Sequence, residues 1–489
     1  MNRSKKPSEN RSTTVGADFL QLDPAHARPG HLTDWLTDHL RQALTHQRLG
    51  VGSRLPATRT LAADLGVSRG VVTEAYRRLT DEGHLTARGR GGTVVASTPA
   101  APATTPAQDH TPLPALPADP GTDIFDRLRH TPARHDLTPG TPDLAAFPRT
   151  AWLRAERTVL AQTPTTDLGY TDPRGHPRLR TALAHHLARY RRISVHPDHV
   201  QIVSGTAQAL ALLGQLLHQD GVDTLALEDP GSLGIRQHLH HARLRTPPVP
   251  VDEHGADIAA LTATGAPAVL LTPAHQFPTG AVLSGPRRRL LLDWAKNGGL
   301  VIEDDYDAEH RYDRAPVPAL HSLLPDRVCY TGSVSKLLAP ALRLGWVLAP
   351  PRHRDRLTEA KRFSDLGSPV LPQLVLAHLI ESGTLERHLR QIRARHRRRR
   401  DTMTAALATH LPGATVHGAA AGLHLMLTFA PGLDDTALAR AALARGVRTH
   451  PLSWHRQRPG PPGLVLGYAA ATGITQAVTE LGHALRQTT

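Results

Sequence analysis

At 489 residues, with 40% hydrophobic and 20% charged side chains, the chain is long enough for roughly three packed units and too apolar to be largely disordered. No apolar run approaches the ~20 residues of a membrane span, and the single cysteine, Cys329, excludes an internal disulfide or a cysteine metal cluster. Lysine plus arginine exceed the acids by 57 to 43, which suits a polyanionic partner, and the basic, polar residues 1–14 do not read as a secretory signal, so a cytoplasmic protein is expected.

Residues 1–27 are expected to form a disordered basic tail and 28–96 a small folded unit. Leu32, Leu36, Leu40 and Leu44 recur every four residues and predict a helix over 32–49 with one apolar face. Pro56 bars a helix from running through 55–59, and Thr58 suits the cap of a second helix carrying Arg59, Leu61, Ala62 and Leu65 and ending at Gly66. A third starts at Val67-Ser68-Arg69 and buries Val72, Ala75, Tyr76 and Leu79, leaving Ser68, Arg69, Gly70 and Thr73 on its outer side. Two short helices about a glycine make a helix-turn-helix whose second member enters the major groove by its N-terminal end. The glycine-rich segment 83–95 predicts a hairpin wing that lays Arg88 and Arg90 along phosphates or a minor groove. Without a nucleic-acid partner, Arg59, Arg69 and Arg88 are solvated charges on a three-helix unit. The patterns L-P-x-x-R-x-L-A, L-G-V-S-R and G-x-L-x-x-R resemble the winged-helix domain of GntR-type regulators over residues 30–96.

Residues 97–135 read as a linker: seven prolines fall within 97–122 among Ala and Thr, a composition that runs extended. From residue 136 onward, short apolar runs at 200–203, 224–227, 268–271, 300–302, 328–330 and 344–348 alternate with helical stretches. This predicts an α/β domain with a mostly parallel sheet covered by helices.

The chemistry concentrates in two runs. Tyr330-Thr331-Gly332-Ser333-Val334-Ser335-Lys336 ends an expected strand on a lysine, with Arg343 seven residues on. An amine for a Schiff base beside hydroxyls and a guanidinium for a phosphate is what pyridoxal phosphate chemistry requires. Upstream, a strand runs into Glu303-Asp304-Asp305-Tyr306-Asp307, where strand alternation sends Asp304 and Tyr306 to one face and Asp305 to the other. The same acids would also suit a solvated loop or a divalent cation, but no clustered histidines accompany them and no metal is expected. Ser204-Gly205-Thr206-Ala207-Gln208 opens a helix after a strand, a place for an anion or a plain turn. Segment 169–175, with Tyr170, reads as a loop.

Together these elements resemble fold-type I aminotransferases over 136–489, and with the winged helix they resemble the MocR subfamily of GntR-type regulators. Its tokens are F-P-R-T-A-W at 147–152, H-Q-F-P-T-G at 275–280, E-D-D-Y at 303–306 and G-L-H at 422–424. The resemblance implies that Lys336 is the Schiff-base lysine, Asp304 the partner of the pyridinium nitrogen and Tyr306 the partner of the phenolate. It implies a phosphate site of Thr206, Ala207, Ser333, Ser335 and Arg343, joined by Tyr170 from the other subunit of a homodimer. Three positions depart from that pattern: Phe277 replaces an asparagine, Ser232 an aromatic ring over the pyridine, and Val465 the arginine that clamps a substrate carboxylate. Arg456, Arg458, Arg236 and His424 stand as substitutes for that arginine. The basic run 393–400 reads as a solvated helix face or a DNA contact. The expected function is a transcriptional regulator that binds double-stranded operator DNA and holds pyridoxal phosphate, with an amine or amino-acid effector joined to it as an aldimine. The alternatives are a working aminotransferase tethered to DNA, and a sensor of pyridoxal phosphate itself.

Overall fold

The computed structural model describes residues 22–46, 48–89, 92–98, 116–312 and 317–488. The chain divides into two compact units, Met1–His110 and Thr111–Thr489. No helix among the described residues is long and apolar enough to cross a membrane.

The first unit holds helices Leu32–Thr45, Thr58–Asp64 and Arg69–Asp81, followed by the antiparallel strands β1 (Leu85–Ala87) and β2 (Thr93–Val95). The leucine stripe does what its period predicts: Leu36, Leu40 and Leu44 are buried against Leu61, Val72, Ala75 and Leu79. Two local readings change. The first helix ends at Thr45, and Leu49 is buried beyond it. Thr58 is the first helical residue, with Ala57 as the cap and no side-chain cap bond. The buried Tyr76 hydroxyl donates to the Pro56 carbonyl at 3.0 Å and ties the third helix to the entry of the second.

In the second unit, the short strand β3 (His135–Asp136) precedes an eight-stranded sheet. Its strands are β4 (Val200–Val203), β5 (Ala226–Asp229), β6 (Pro248–Asp252), β7 (Gly255–Ala256), β8 (Ala268–Leu271), β9 (Leu300–Asp305), β10 (Val328–Ser333) and β11 (Gly345–Leu348). Their order is β4-β11-β10-β9-β8-β5-β6-β7. Pairs β10/β9, β9/β8, β8/β5 and β5/β6 are parallel, while β11 runs antiparallel to both neighbours and β7 antiparallel to β6. Strands β4, β5, β8, β9, β10 and β11 are buried along their whole length, as expected of a sheet packed on both faces. A second lobe carries the four-stranded sheet β12 (Thr415–His417), β13 (His424–Thr428), β16 (Gly463–Gly467) and β15 (His450–Pro451), while β14 (Val447–Arg448) pairs with β3. The lobes touch backbone to backbone: Gly280 has φ 72°, and a Cβ there would lie 2.3 Å from Gly418 Cα.

The linker is shorter than its composition suggests. Residues 124–130 form a helix, and Leu116, Ile124 and Leu128 are buried in the core of the second lobe with Leu425, Leu464 and Trp454. Apolar residues spaced by four outweigh the prolines here, and the Trp454 indole N–H donates to the Pro117 carbonyl at 3.0 Å.

Candidate functional site

Three strand ends and two helix starts converge on a cavity of about 300 Å³ lined by Thr206, Ala207, Asp304, Tyr306, Ser333, Ser335, Lys336 and Arg343, with Ser232, Ile235, Thr272, Phe277 and Pro340. The period-two reading of β9 holds: Asp304 and Tyr306 face the cavity, while Asp305 points away and accepts from Tyr330 Oη at 2.6 Å and Arg191 Nε at 2.5 Å. Parallel register places Thr331 beside Asp304, and its hydroxyl donates to that carboxylate at 3.0 Å. Burial pushes the Asp304 carboxyl up from 3.8 to about 6, although Thr331 and Lys336 favour its charged form. Burial also pulls the Lys336 amine below its usual 10.5, against the attraction of Asp307 and Asp304. A buried amine with a depressed pKa is a better nucleophile near neutrality. Lys336 Nζ donates to the Gly140 carbonyl.

Gly205 has φ 79° and precedes helix Thr206–Gln219, whose first turn faces the cavity. A Cβ on Gly205 would lie 3.2 Å from Arg343 Nη1, so the glycine admits the guanidinium to the helix start. Arg343 is itself in the left-handed region at φ 51° and donates to the Ser204 carbonyl.

Further side chains join the site. His275 Nδ1 lies 3.1 Å from Tyr306 Oη and 2.8 Å from Asp307 Oδ2. Burial, then Asp307 and Asp304, raise the Tyr306 phenol well above 10.0, so it is a neutral donor. His310 Nε2 is 3.1 Å from the Lys336 carbonyl. Beside the cavity, Glu228 accepts from the Thr272 hydroxyl at 2.7 Å, and burial lifts its carboxyl to about 7. His275 and Asp307 lie in runs that stand out by motif, whereas His310, Glu228 and Thr272 have no signature in the sequence.

Tyr170 lies outside this cavity, 94% exposed, in a groove with Leu366 and Pro369. Val465 is buried with Met426 and Leu452, and Phe277 packs on that apolar cluster. None of its four substitutes lines the cavity. The Arg236 guanidinium donates to the Trp454 and Arg456 carbonyls, Arg458 pairs with Asp229, Arg456 lines a separate groove, and His424 faces the Pro278 carbonyl. The basic run 393–400 is no simple solvated face either. Arg395 and Arg399 pair with the buried Asp143 at 2.8 and 2.9 Å, Arg400 lies over the Tyr312 ring, and His396 is fully buried.

In the first unit, Arg59, Ser68, Arg69, Gly70, Thr73 and Arg88 are all exposed, and Ser68 makes no side-chain cap bond. Arg90 falls outside the described residues.

The cavity's donor set fits pyridoxal phosphate: a buried amine, a buried carboxylate able to face a protonated ring nitrogen, a neutral phenol, and two serine hydroxyls, a helix start and a guanidinium for a phosphate. Matches to known proteins agree with this reading of the two units. The family "Bacterial regulatory proteins, gntR family" matches residues 32–95, and "Aminotransferase class I and II" matches 136–457. The chain is 33% identical to "Probable rhizopine catabolism regulatory protein MocR" of Rhizobium meliloti, over 89% of each chain. It is 32% identical to "HTH-type pyridoxine biosynthesis transcriptional regulator PdxR" of Corynebacterium glutamicum, over 90% of this chain and 93% of that one. Among solved structures, the α-aminoadipate aminotransferase LysN of Thermus thermophilus, complexed with N-(5'-phosphopyridoxyl)-L-leucine, superposes with a TM-score of 0.68 at 28% identity. That match covers 75% of this chain and 95% of LysN.

Proposed function

For a chain that belongs to the MocR subfamily of GntR-type bacterial regulators, we propose a cytoplasmic, homodimeric transcriptional regulator that binds operator DNA and takes pyridoxal phosphate and an amine effector in its aminotransferase-like unit. The observation that carries this reading is the meeting of Lys336, Asp304, Tyr306, Ser333, Ser335, Thr206 and Arg343 around one cavity, in a chain that also presents an exposed helix end with Ser68, Arg69, Gly70 and Thr73.

Bound pyridoxal phosphate supplies an aldehyde that links reversibly to a primary amine. In the chain itself, Asp304 would supply the negative charge that a protonated ring nitrogen needs, with Thr331 keeping that carboxylate oriented, and Tyr306 would donate to the ring oxygen with His275 fixing its hydroxyl. Ser333, Ser335, Arg343 and the helix start at Thr206 and Ala207 would hold the phosphate. Lys336, desolvated, offers its amine. Tyr170, exposed on its own subunit, serves the phosphate of a second copy. On DNA, Arg69 and Thr73 read the major groove and Arg59 and Arg88 meet phosphates, with Arg90 as a further basic contact.

The test is the visible absorption of the purified protein with pyridoxal phosphate, repeated on Lys336→Ala and paired with operator retention at moderate salt. The band is expected in the unmutated protein and absent from the variant. A band unchanged in Lys336→Ala, or no specific operator retention with or without amines, would refute the proposal.

A further inference from the structure

We infer that the cavity selects a primary amine with no carboxylate next to its nitrogen; this rests on the cofactor reading above. The argument begins with the cations. Lys336 and Arg343 are the only basic side chains lining the cavity among the described residues. The first is the amine that a ligand displaces. The second sits against Gly205 and the Ser204 carbonyl, at the anion end.

None of Arg236, Arg456 and Arg458, the arginines that could replace the missing clamp, lines the cavity. Arg236 is engaged by the Trp454 and Arg456 carbonyls at 2.9 and 3.1 Å. Arg458 pairs with Asp229, and Arg456 lines a groove of its own with Asp434 and Asp435. Behind Phe277 the wall is apolar: Met426, Leu452 and Val465 are each no more than 5% exposed. The rings flanking Phe277 add no charge, since burial drives His424 down to about 3 and His455 well below 6.5. The carboxylate in the lining is Asp304, a like charge.

A carboxylate brought here would lose water and meet no cationic partner, whereas a hydrocarbon body meets Phe277 and Ile235. The exchange needs no further reactant. The ligand nitrogen bonds to the aldehyde carbon as the bond from that carbon to Lys336 Nζ breaks, and the two hydrogens of the ligand amine end on Nζ.

The cofactor-loaded full chain is titrated with L-leucine against isoamylamine and with L-phenylalanine against phenethylamine, followed by visible absorption and by calorimetry. Each amine is expected to half-saturate at a concentration at least about tenfold lower than its amino acid, the cost of one unpaired buried charge. Val465→Arg is expected to shrink or reverse that preference, and the pairs on the unmutated chain decide the matter even where this variant fails to fold. Equal or tighter binding of the amino acids, or no response to either class, overturns the inference while leaving the cofactor reading intact. Absence of the visible band before any titration removes both.

Discussion

Replacing Asp304 with asparagine should move stability and cofactor affinity in opposite directions. Burial raises the Asp304 carboxyl from 3.8 to about 6. At about 1.4 kcal/mol per unit, holding the ionised group in the folded, cofactor-free chain costs about 3 kcal/mol near neutral pH. Asparagine keeps the shape and still accepts from the Thr331 hydroxyl, which now donates at 3.0 Å, but carries no charge. Cofactor-free Asp304→Asn should therefore be more stable than the unmutated chain by about 1–3 kcal/mol, allowing for local relaxation. An acid whose pKa is raised on folding leaves the folded chain with more protons than the unfolded one, so stability falls as pH rises from 3.8 to about 6. The advantage of the variant should thus be absent at the acid end of that window and complete above it. With pyridoxal phosphate present the order reverses, because the variant has no anion for the ring nitrogen, and affinity should drop about a hundredfold or more. Thermal unfolding of both proteins across pH, with and without cofactor, reads all of this. A cofactor-free variant no more stable than the unmutated chain at neutral pH, or a gain independent of pH, would refute the reasoning.

Thr331→Val removes the hydroxyl that favours ionised Asp304. The pH below which cofactor affinity declines, set by a carboxyl near 6, should rise by about one unit; a fixed or falling midpoint in pH-dependent binding titrations argues against that role. Arg69→Ala should weaken operator binding and relax sequence preference, whereas Arg59→Ala should weaken binding to all sequences and flatten the dependence of log K on log salt by about one; retention curves on operator and unrelated DNA at several salt concentrations measure both, and unchanged affinity places the substituted arginine outside the interface. Tyr76→Phe leaves the Pro56 carbonyl without its buried donor at a cost of about 1–3 kcal/mol. Hydrogen exchange should accelerate across residues 32–95 and not in the second unit, and a uniform change would contradict this assignment.

Features set by local pattern were legible in the sequence. Strand alternation put Asp304 and Tyr306 on one face and Asp305 on the other, and the leucine period fixed the buried side of the first helix. Lys336 stood out because lysine is scarce, with only three beyond residue 6. What could not be read depends on chain segments far apart meeting in space. Thr331 reaches Asp304 only because β9 and β10 pair in one particular register. The Gly140 carbonyl meets Lys336 across 196 positions of sequence. Arginines at 395 and 399 look like surface charge until Asp143 arrives from another segment to be buried beneath them. Proline content overstated the linker for a related reason: Ile124 and Leu128 find a core that composition does not reveal.

The contact between Gly280 and Gly418 sets how the cavity can respond. Residues 276–280 follow directly on His275, and Phe277 lines the cavity. Where the two lobes meet at this point there is no side chain to act as a cushion by changing rotamer. A tilt of the four-stranded lobe therefore bears on the turn that carries Phe277 through this backbone contact as well as through the packing of Phe277 on Met426, Leu452 and Val465. What fills the cavity and how the C-terminal lobe is seated are thus mechanically linked at one point of the backbone.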